Sequence, residues 1–250
     1  MKAVLFSGTT EGRALAAELA ALGFAVTVSV ATPLGAEEQG LAPGVEVHAG
    51  RLDAGEMAVL LRGAALCIDA THPYAVEASR NIRAACTEAG VEVIRLLRPQ
   101  SPLPEGCLVY DSAKEAAAEL AGTSGPILLA TGAKELAAFA GLPRERLYPR
   151  VLPTRESSSA CEAAGIPHRN ILALQGPFSK ELNLALLRQY SIRWLVTKDG
   201  GAAGGFAEKA AAAREAGARL VVLRRPAETD GRTFEEILKR CREVLGQCSH

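Results

Sequence analysis

The sequence lacks the features that mark membrane, secreted and metal-binding proteins. No apolar run approaches the ~20 residues that cross a bilayer. The first residues read as a strand rather than as a charged segment followed by a signal-peptide core. The six cysteines include no C-x-x-C pair, and several lie inside apolar runs, which is typical of reduced thiols in a hydrophobic core. We therefore expect a cytoplasmic protein with no membrane association and no metal site.

The chain also lacks an excess of either charge, because 28 basic residues balance 28 acidic ones. This balance argues against a wide basic surface, and we expect no nucleic-acid partner. At 250 residues and 48% hydrophobic content, the chain can bury a large core in one or two domains. No feature of the sequence indicates an oligomeric state.

Apolar runs of strand length alternate with stretches rich in helix formers, which predicts an α/β fold with parallel sheets. The nine predicted strands span residues 3–6, 25–30, 45–48, 66–69, 91–95, 127–131, 171–174, 193–197 and 219–223. Nine strands exceed one Rossmann unit, and a proline-rich stretch, R-P-Q-S-P-L-P, follows the fifth strand. We therefore predict two Rossmann-like, doubly wound lobes, residues 1–98 and 99–250, with an interdomain cleft.

The first strand runs into a short polar turn and then into a helical pattern, which is the arrangement of a phosphate site. The first N–H groups of a helix have no partner in the helix, and its dipole favours an anion there. The turn lacks the G-x-G-x-x-G spacing, so a simple helix cap remains the alternative. The candidate cofactor-binding residues of this turn and helix start are Ser7, Gly8, Thr9, Thr10, Glu11 and Arg13.

The second strand is followed by Ala31-Thr32-Pro33, where an NAD site would place Asp or Glu for the ribose 2′-hydroxyl. The missing carboxylate favours a 2′-phosphate and hence NADP(H). Thr32, Arg13 and Arg51 are the candidate partners of that phosphate, the alternative being that this position binds nothing.

Further candidates follow other strands, because doubly wound sheets bind ligands at the carboxyl ends of their strands. After the fourth strand come Thr71, His72 and Tyr74, which supply a proton donor and a flat amphipathic surface, or else form a structural His-Pro turn. In the second half, glycines cluster after the strand at 193–197, beside charges of both signs. This pattern predicts either that the backbone closely approaches another group or merely that the turn is tight. The candidates there are Lys134, Ser179, Lys198, Asp199, Gly200 and Gly204.

Five segments in order resemble the precorrin-6A reductase family of cobalamin biosynthesis, which includes the cobalt-precorrin-6A reductases. They read S-G-T-T-E-G-R, D-A-T-H-P-Y-A, T-G-A-K, G-P-F-S and T-K-D-G-G-A-A-G-G-F-x-E-K, and the ending V-V-L-R-R-P is similar too. The resemblance covers nearly the whole chain. The chain departs from the family's pattern at Ser7, where members usually have Gly, and at Gly200, where members usually have Ser.

The resemblance implies an NADPH-dependent oxidoreductase that reduces the C18–C19 double bond of a polycarboxylate tetrapyrrole, precorrin-6A or cobalt-precorrin-6A, to the corresponding precorrin-6B. Lobe 1–98 would bind NADP(H), with Thr71, His72 and Tyr74 near the nicotinamide and the macrocycle. Lobe 99–250 would close over the substrate. Its substrate-binding residues would be Lys134, Ser179, Lys198, Gly200 and Gly204, and either Asp199 or His72 would relay the proton.

Two alternatives are another NADP-dependent reductase or epimerase and a non-catalytic NADP-sensing protein. Short-chain reductases and epimerases use Tyr-x-x-x-Lys, and here the only match is Tyr110 with Lys114. That match falls at a strand-to-helix turn rather than within a helix, so we interpret it as chance. Consumption of the cofactor in the presence of a tetrapyrrole would separate an enzyme from a sensor.

Overall fold

The computed structural model describes residues 1–98, 100–201, 204–226 and 230–247. The chain divides into two compact units, Met1–Arg98 with Ala227–His250, and Pro99–Pro226. The first unit contains strands β1 (Lys2–Phe6), β2 (Ala25–Val30), β3 (Val45–Ala49), β4 (Ala64–Asp69) and β5 (Val93–Arg95). Its helices are α1 (Thr10–Ala21), α2 (Pro33–Gln39), α3 (Ala54–Leu61), α4 (Val76–Ala89) and, from the C-terminal segment, α9 (Phe234–Gln247).

The five strands of the first unit form one parallel sheet in the order β3-β2-β1-β4-β5. The central strand β1 is buried from Ala3 to Phe6, as expected for a strand with helices on both faces. Leu5 and Leu15 pack in the core on the α1 side, whereas Val4 and Ile82 pack on the α3 and α4 side. Period-two alternation along β1 therefore serves two cores at once.

The second unit contains strands β6 (Leu108–Tyr110), β7 (Ile127–Ala130), β8 (Leu147–Val151), β9 (Leu172–Ala173), β10 (Trp194–Lys198) and β11 (Arg219–Leu223). Its α-helices are α5 (Ala113–Ala121), α6 (Arg155–Ala163), α7 (Lys180–Gln189) and α8 (Phe206–Ala216), with short 3-10 helices at Ala133–Phe139, Arg144–Arg146 and His168–Asn170. The sheet is parallel, in the order β6-β11-β10-β7-β8-β9. The predicted α/β class with two parallel sheets is confirmed.

Two strands escaped the sequence-based prediction. β8 carries Pro149, and a proline inside an apolar run argues against a strand because it cannot donate to the ladder. β6 has only three residues, all of them half-buried, so its apolar signal is weak. The predicted strand at 171–174 shortens to the two residues of β9.

The C-terminal segment differs from the predicted division, which assigned all of 99–250 to the second lobe. The structure places 227–250 in the first unit. There the N–H of Arg232 donates to the carbonyl oxygen of Arg95 (2.8 Å), and Leu96 and Arg232 form a parallel bridge. Ile237 and Cys241 of α9 are fully buried in the core on the α1 side. The apolar face of α9 therefore completes the first unit's core. The alternation of strands and helices in the sequence does not indicate that the C-terminal segment packs on the first unit.

The described cysteines are free thiols, and four of the five, Cys67, Cys86, Cys161 and Cys241, are buried as the sequence predicts. Cys248 lies outside the described residues. None of the described helices has the length and apolar character needed to cross a bilayer.

Candidate functional site

The first unit places two of the predicted turns at one edge of its sheet. From β1 the chain builds β2 and β3 on one side, and then crosses to β4 on the other side. Open parallel sheets bind ligands in the crevice at the carboxyl ends of the strands where the order reverses in this way. Residues 7–9 follow β1 and residues 70–75 follow β4, and Phe6 pairs with Asp69 at the strand ends. Both turns therefore border the crevice, which we call the first crevice.

The turn after β1 presents backbone donors without crowding. Gly8 has a φ of +131°, and an added Cβ would meet no atom within 4 Å. The N–H groups of Thr10 and Glu11 open α1, and no residue in the described part of the chain accepts a hydrogen bond from them. A Cβ at Gly12 would lie 2.5 Å from Ser7 Oγ, so this glycine allows α1 to pack closely against the buried Ser7.

An arginine whose side chain is only 5% exposed ties the two sides of the first crevice together. Arg98 donates from Nη2 to Thr9 Oγ1 (2.7 Å) and to the carbonyl oxygen of Ala70 (3.0 Å). It also donates from Nη1 to the carbonyl oxygen of Thr71 (3.0 Å), and its Nε lies 3.3 Å from the carboxylate of Glu11. The hydroxyl of Thr9 further accepts the N–H of Gly12 (3.1 Å) as the cap of α1. Thr9 and Glu11, both predicted to bind cofactor, thus have internal partners.

A second buried arginine organises the end of β4. Arg95 Nη1 lies 2.7 Å from Asp69 Oδ1 and 2.9 Å from Thr71 Oγ1, and the hydroxyl of Thr71 donates to the same carboxylate (2.7 Å). Asp69 and Arg95 are 1% and 6% exposed, so this ion pair is screened from water. The predicted cofactor contact of Thr71 would compete with this network.

His72 and Tyr74 extend from the same turn towards solvent. Their ring centroids are 5.5 Å apart, and the backbone N–H of Tyr74 donates to His72 Nδ1 (3.4 Å). When Nδ1 accepts, the neutral imidazole carries its proton on Nε2. His72 is exposed and Tyr74 is half-buried, whereas Pro73 between them is buried and anchors the turn.

Two of the predicted 2′-phosphate residues, Thr32 and Arg51, follow β2 and β3, whereas the third, Arg13, lies in α1. Thr32 caps α2 by accepting the N–H of Gly35 (3.1 Å). Arg13 is already paired, since its Nη1 lies 3.0 Å from Glu38 Oε2. Arg51 is exposed and makes no hydrogen bond or ion pair with any described residue.

The second unit repeats the reversal of strand order between β7 and β10. After β10, Asp199 accepts the N–H groups of Gly201 (3.0 Å) and Ser101 (3.2 Å), and Arg225 Nη2 lies 3.5 Å from its carboxylate. Asp199 and Arg225 are each 5% exposed. This ion pair spans 26 residues, as does the pair of Asp69 and Arg95, and in both units the aspartate accepts the N–H of the residue two positions later. The same buried Asp–Arg pair therefore stands at both reversals.

The other predicted residues of the second unit differ in their exposure and in their partners. Lys198 Nζ lies 2.7 Å from Glu135 Oε1, so its charge is largely balanced. Lys134, in the 3-10 helix after β7, is exposed. Ser179 caps α7 by accepting the N–H of Leu182 (3.3 Å).

The glycine-rich turn after β10, residues 200–205, shows the predicted close backbone approach. The approach is between two parts of the turn, at Gly200 and Gly204. A Cβ on Gly204 would lie 2.8 Å from the Cα of Gly200, and one on Gly200 would lie 3.2 Å from the Cα of Gly204. These two glycines therefore have a structural reason to be small. Ala202 and Ala203 between them lie outside the described residues.

Comparisons with known proteins place this fold and these turns in one family. The sequence profile of the family described as "Precorrin-6x reductase CbiJ/CobK" matches residues 2–242. This chain belongs to that family. The expected precorrin-6A reductase resemblance is confirmed.

Relatives within the precorrin-6x reductase family carry two names. A "Cobalt-precorrin-6A reductase" of Priestia megaterium is 36% identical over 245 residues, which cover 94% of this chain and 96% of the relative. One of Salmonella typhimurium is 39% identical, covering 89% and 87%. A "Precorrin-6A reductase" of Rhodobacter capsulatus is 32% identical, covering 90% and 88%. The solved structure "CobK precorrin-6A reductase" matches with a TM-score of 0.79 and 26% identity, covering 98% of this chain and 97% of that one.

For this member of the precorrin-6x reductase family, the sequence identified the turns but missed the arginines that hold them. Arg95, Arg98 and Arg225 bind groups that lie between 24 and 89 residues away in the chain. The available signal was an arginine at or just beyond the end of a strand, which is also common at the surface. Among the described residues, no cluster of His, Cys, Asp and Glu has the arrangement of a metal site.

Proposed function

We propose that this member of the precorrin-6x reductase family reduces the C18–C19 double bond of precorrin-6A or cobalt-precorrin-6A, with NADPH as the reductant. The observation that carries the proposal is the first crevice. An uncrowded glycine turn with open helix N–H groups borders it on one side, and an exposed His-Pro-Tyr turn borders it on the other. An anionic cofactor and a planar substrate would thus meet at one edge of one sheet.

The turn after β1 suits the pyrophosphate of NADPH. The N–H groups of Thr10 and Glu11, together with the positive end of the α1 dipole, supply donors without any added charge. Gly8 keeps the space before them open. Arg98 fixes Thr9, and therefore the direction of these donors, relative to the turn after β4. When bound, NADPH would supply the hydride.

Cofactor choice depends on the groups after β2 and β3. No carboxylate directly follows β2, at 31–33, to accept a ribose 2′-hydroxyl, whereas Arg51 is exposed and forms no ion pair with any described residue. Arg13 could reach a 2′-phosphate only by loosening its ion pair with Glu38, so we rank Arg51 ahead of Arg13. A charged hydrogen bond is worth about 1.5–3 kcal/mol, so NADPH should bind roughly tenfold to a hundredfold more tightly than NADH.

For the proton, we infer that His72 is a better candidate than Asp199. His72 is exposed at the first crevice, and its Nε2 carries the proton when Nδ1 accepts the N–H of Tyr74. Asp199 is buried, and both of its carboxylate oxygens accept hydrogen bonds from the backbone beside Arg225. Asp199, held in this way, is suited to stabilising the turn and poorly suited to exchanging a proton with a ligand.

The test is to incubate the purified protein with NADPH and each tetrapyrrole separately, following the loss of nicotinamide absorbance and the mass of the product. We expect reduction of one or both forms, and a comparison of their rates identifies the natural one. His72→Gln should lower turnover without a matching change in either binding constant. Arg51→Ala should weaken NADPH binding but not NADH binding, and Arg62→Ala, an exposed arginine after α3, serves as the control. Absence of NADPH consumption with both tetrapyrroles would refute the proposed function.

A further inference from the structure

The second unit holds a buried arginine, Arg150, for which the described residues supply no counter-ion. Along β8, Tyr148 packs in the core beneath α7 and α8, and Arg150, two residues later, points to the same side. Arg150 is 8% exposed, and its Nη1 donates to the neutral side chain of Asn183 (2.7 Å) in the first turn of α7. Its guanidinium carbon lies 4.3 Å from the ring centroid of Phe178. Among the described residues, no carboxylate forms an ion pair with it.

A second buried cation lies in α8, which begins beside the residue that packs on Arg150: a Cβ on Gly205, the cap of α8, would lie 3.7 Å from the carbonyl oxygen of Phe178. Lys209, in the first turn of α8, is 7% exposed, and its ammonium makes no hydrogen bond or ion pair with any residue that the structure describes. Burial, together with the charge of Arg150, lowers the pKa of Lys209 to about 8. Burial likewise lowers the pKa of Arg150 to about 10. Each cation is thus held where its charge is unfavourable.

The nearby acids do not balance these charges. Asp199 already pairs with Arg225. Glu208 supplies one negative charge, but its Oε2 is buried without a hydrogen-bond partner and so does not meet the ammonium. The N-terminal ends of α7 and α8, which carry Asn183 and Lys209, add positive potential. A protein retains unpaired buried charge at considerable cost, and a bound anion would remove that cost.

We propose that Arg150 and Lys209 form an oxyanion-binding subsite at the N-terminal ends of α7 and α8, and that it takes a carboxylate side chain of the tetrapyrrole. A carboxylate would receive charged hydrogen bonds from both side chains, and Phe178 would hold the guanidinium plane against it. The identity of the ligand rests on the proposed function, whereas the existence of an oxyanion site does not.

The first experiment uses inorganic phosphate as the probe and needs no catalysis. Phosphate should raise the melting temperature of the wild-type protein, because a ligand that binds only the folded state stabilises it. The rise should disappear in Lys209→Met and in Arg150→Met, and should persist in Lys209→Arg, which keeps the charge. Lys114→Met, at an exposed position of α5, removes one positive charge elsewhere in the same unit and should leave the response unchanged.

The second experiment measures steady-state kinetics with the tetrapyrrole that the wild-type protein reduces. Lys209→Met should raise the Michaelis constant for the tetrapyrrole about tenfold to a hundredfold, while the dissociation constant of NADPH changes by less than about threefold. Substrate whose carboxylates are methyl-esterified should bind the wild-type protein and Lys209→Met equally well. Arg150→Met gives a second, independent readout should Lys209→Met fail to fold.

The outcomes separate the two proposals. Loss of the phosphate response together with a raised Michaelis constant for the tetrapyrrole supports the subsite as proposed. Loss of the phosphate response with weakened NADPH binding and an unchanged tetrapyrrole constant would overturn the carboxylate assignment in favour of a cofactor phosphate. A phosphate response that persists in both methionine variants would overturn the subsite itself. If neither tetrapyrrole is reduced, the proposed function and the carboxylate assignment fail, and the phosphate experiment still decides whether an oxyanion site exists.

Discussion

Replacing Asp199 by Asn distinguishes a structural from a chemical role for this aspartate. The substitution keeps the shape of the side chain but removes its charge. An amide that keeps its oxygen towards the N–H of Gly201 turns its NH₂ group towards two other donors, the N–H of Ser101 at 3.2 Å and the guanidinium of Arg225 at 3.5 Å. The reverse orientation leaves the N–H of Gly201 without its acceptor. We therefore expect Asp199→Asn to destabilise the fold.

The magnitude follows from burial of the ion pair. Asp199 and Arg225 are each 5% exposed, so the variant leaves a guanidinium buried without its counter-charge. Breaking a buried pair from one side costs about 3–5 kcal/mol. For a chain of this size each kcal/mol lowers the melting temperature by about 2–4 °C, so the expected loss is roughly 6–20 °C.

The assay compares thermal unfolding with turnover measured well below the transition and at saturating concentrations of both ligands. Asp69→Asn, the equivalent change in the first unit, should cause a similar loss of stability because Asp69 pairs with Arg95 at 2.7 Å. Asp111→Asn breaks an exposed pair with Arg224, and should leave the melting temperature nearly unchanged. An unchanged melting temperature in Asp199→Asn together with a large loss of turnover would refute the structural role and restore Asp199 as the proton donor.

Three further outcomes are expected. Gly8→Val should weaken cofactor binding more than Gly23→Val. Both glycines have positive φ and open surroundings, but only Gly8 borders the first crevice. Calorimetric titration of the two variants with NADPH measures the difference, and equal affinities would count against the pyrophosphate site. Raising the pH from about 8 to 10.5 should increase the free energy of unfolding of the wild-type protein relative to Lys209→Met. In that window the unfolded chain binds a proton at Lys209 that the folded chain, with Arg150, Glu208 and Asp199 around this lysine, does not. Parallel urea titrations without this difference would contradict the expectation. Lys198→Ala should raise the Michaelis constant for the tetrapyrrole less than Lys209→Met, because Glu135 already balances Lys198; a larger effect at Lys198 would make it the main substrate cation.

The positions of the turns could be predicted from the sequence because strand ends are a local property. An apolar run such as 3–6 marks a buried strand, and in a parallel sheet the residues that follow it must lie at the carboxyl edge. Residues 7–10, His72 and Asp199 were located in this way, and the structure places each of them after a strand. The pattern cannot indicate which of these side chains is exposed and which is enclosed.

What the sequence could not predict depends on pairing across long separations. The hydroxyl of Thr9 is a plausible phosphate donor until the carbonyl oxygen of Ala70, 61 residues away, is seen to accept its proton. Arg150 reads as one charged residue in a run interrupted by Pro149, and its burial follows only from the addition of β8 beside β7 and from the cover that α7 provides. The same limit applies to α9, whose amphipathic pattern suits either sheet.

A chain of zero net charge could serve two anionic ligands if positive potential is concentrated beside the repeated Asp–Arg pair of each unit. Because the pairs of Asp69 with Arg95 and of Asp199 with Arg225 occupy equivalent places, they account for the shared fold and not for any difference between the units. The differences lie beside them. The first unit offers backbone N–H groups at α1, which suit a pyrophosphate and add no net charge, whereas the second buries two cations on β8 and α8. In the functions proposed, positive potential would thus come from helix ends, from two enclosed side chains and from the exposed Arg51, so the rest of the surface can remain balanced, with 28 charges of each sign over the chain.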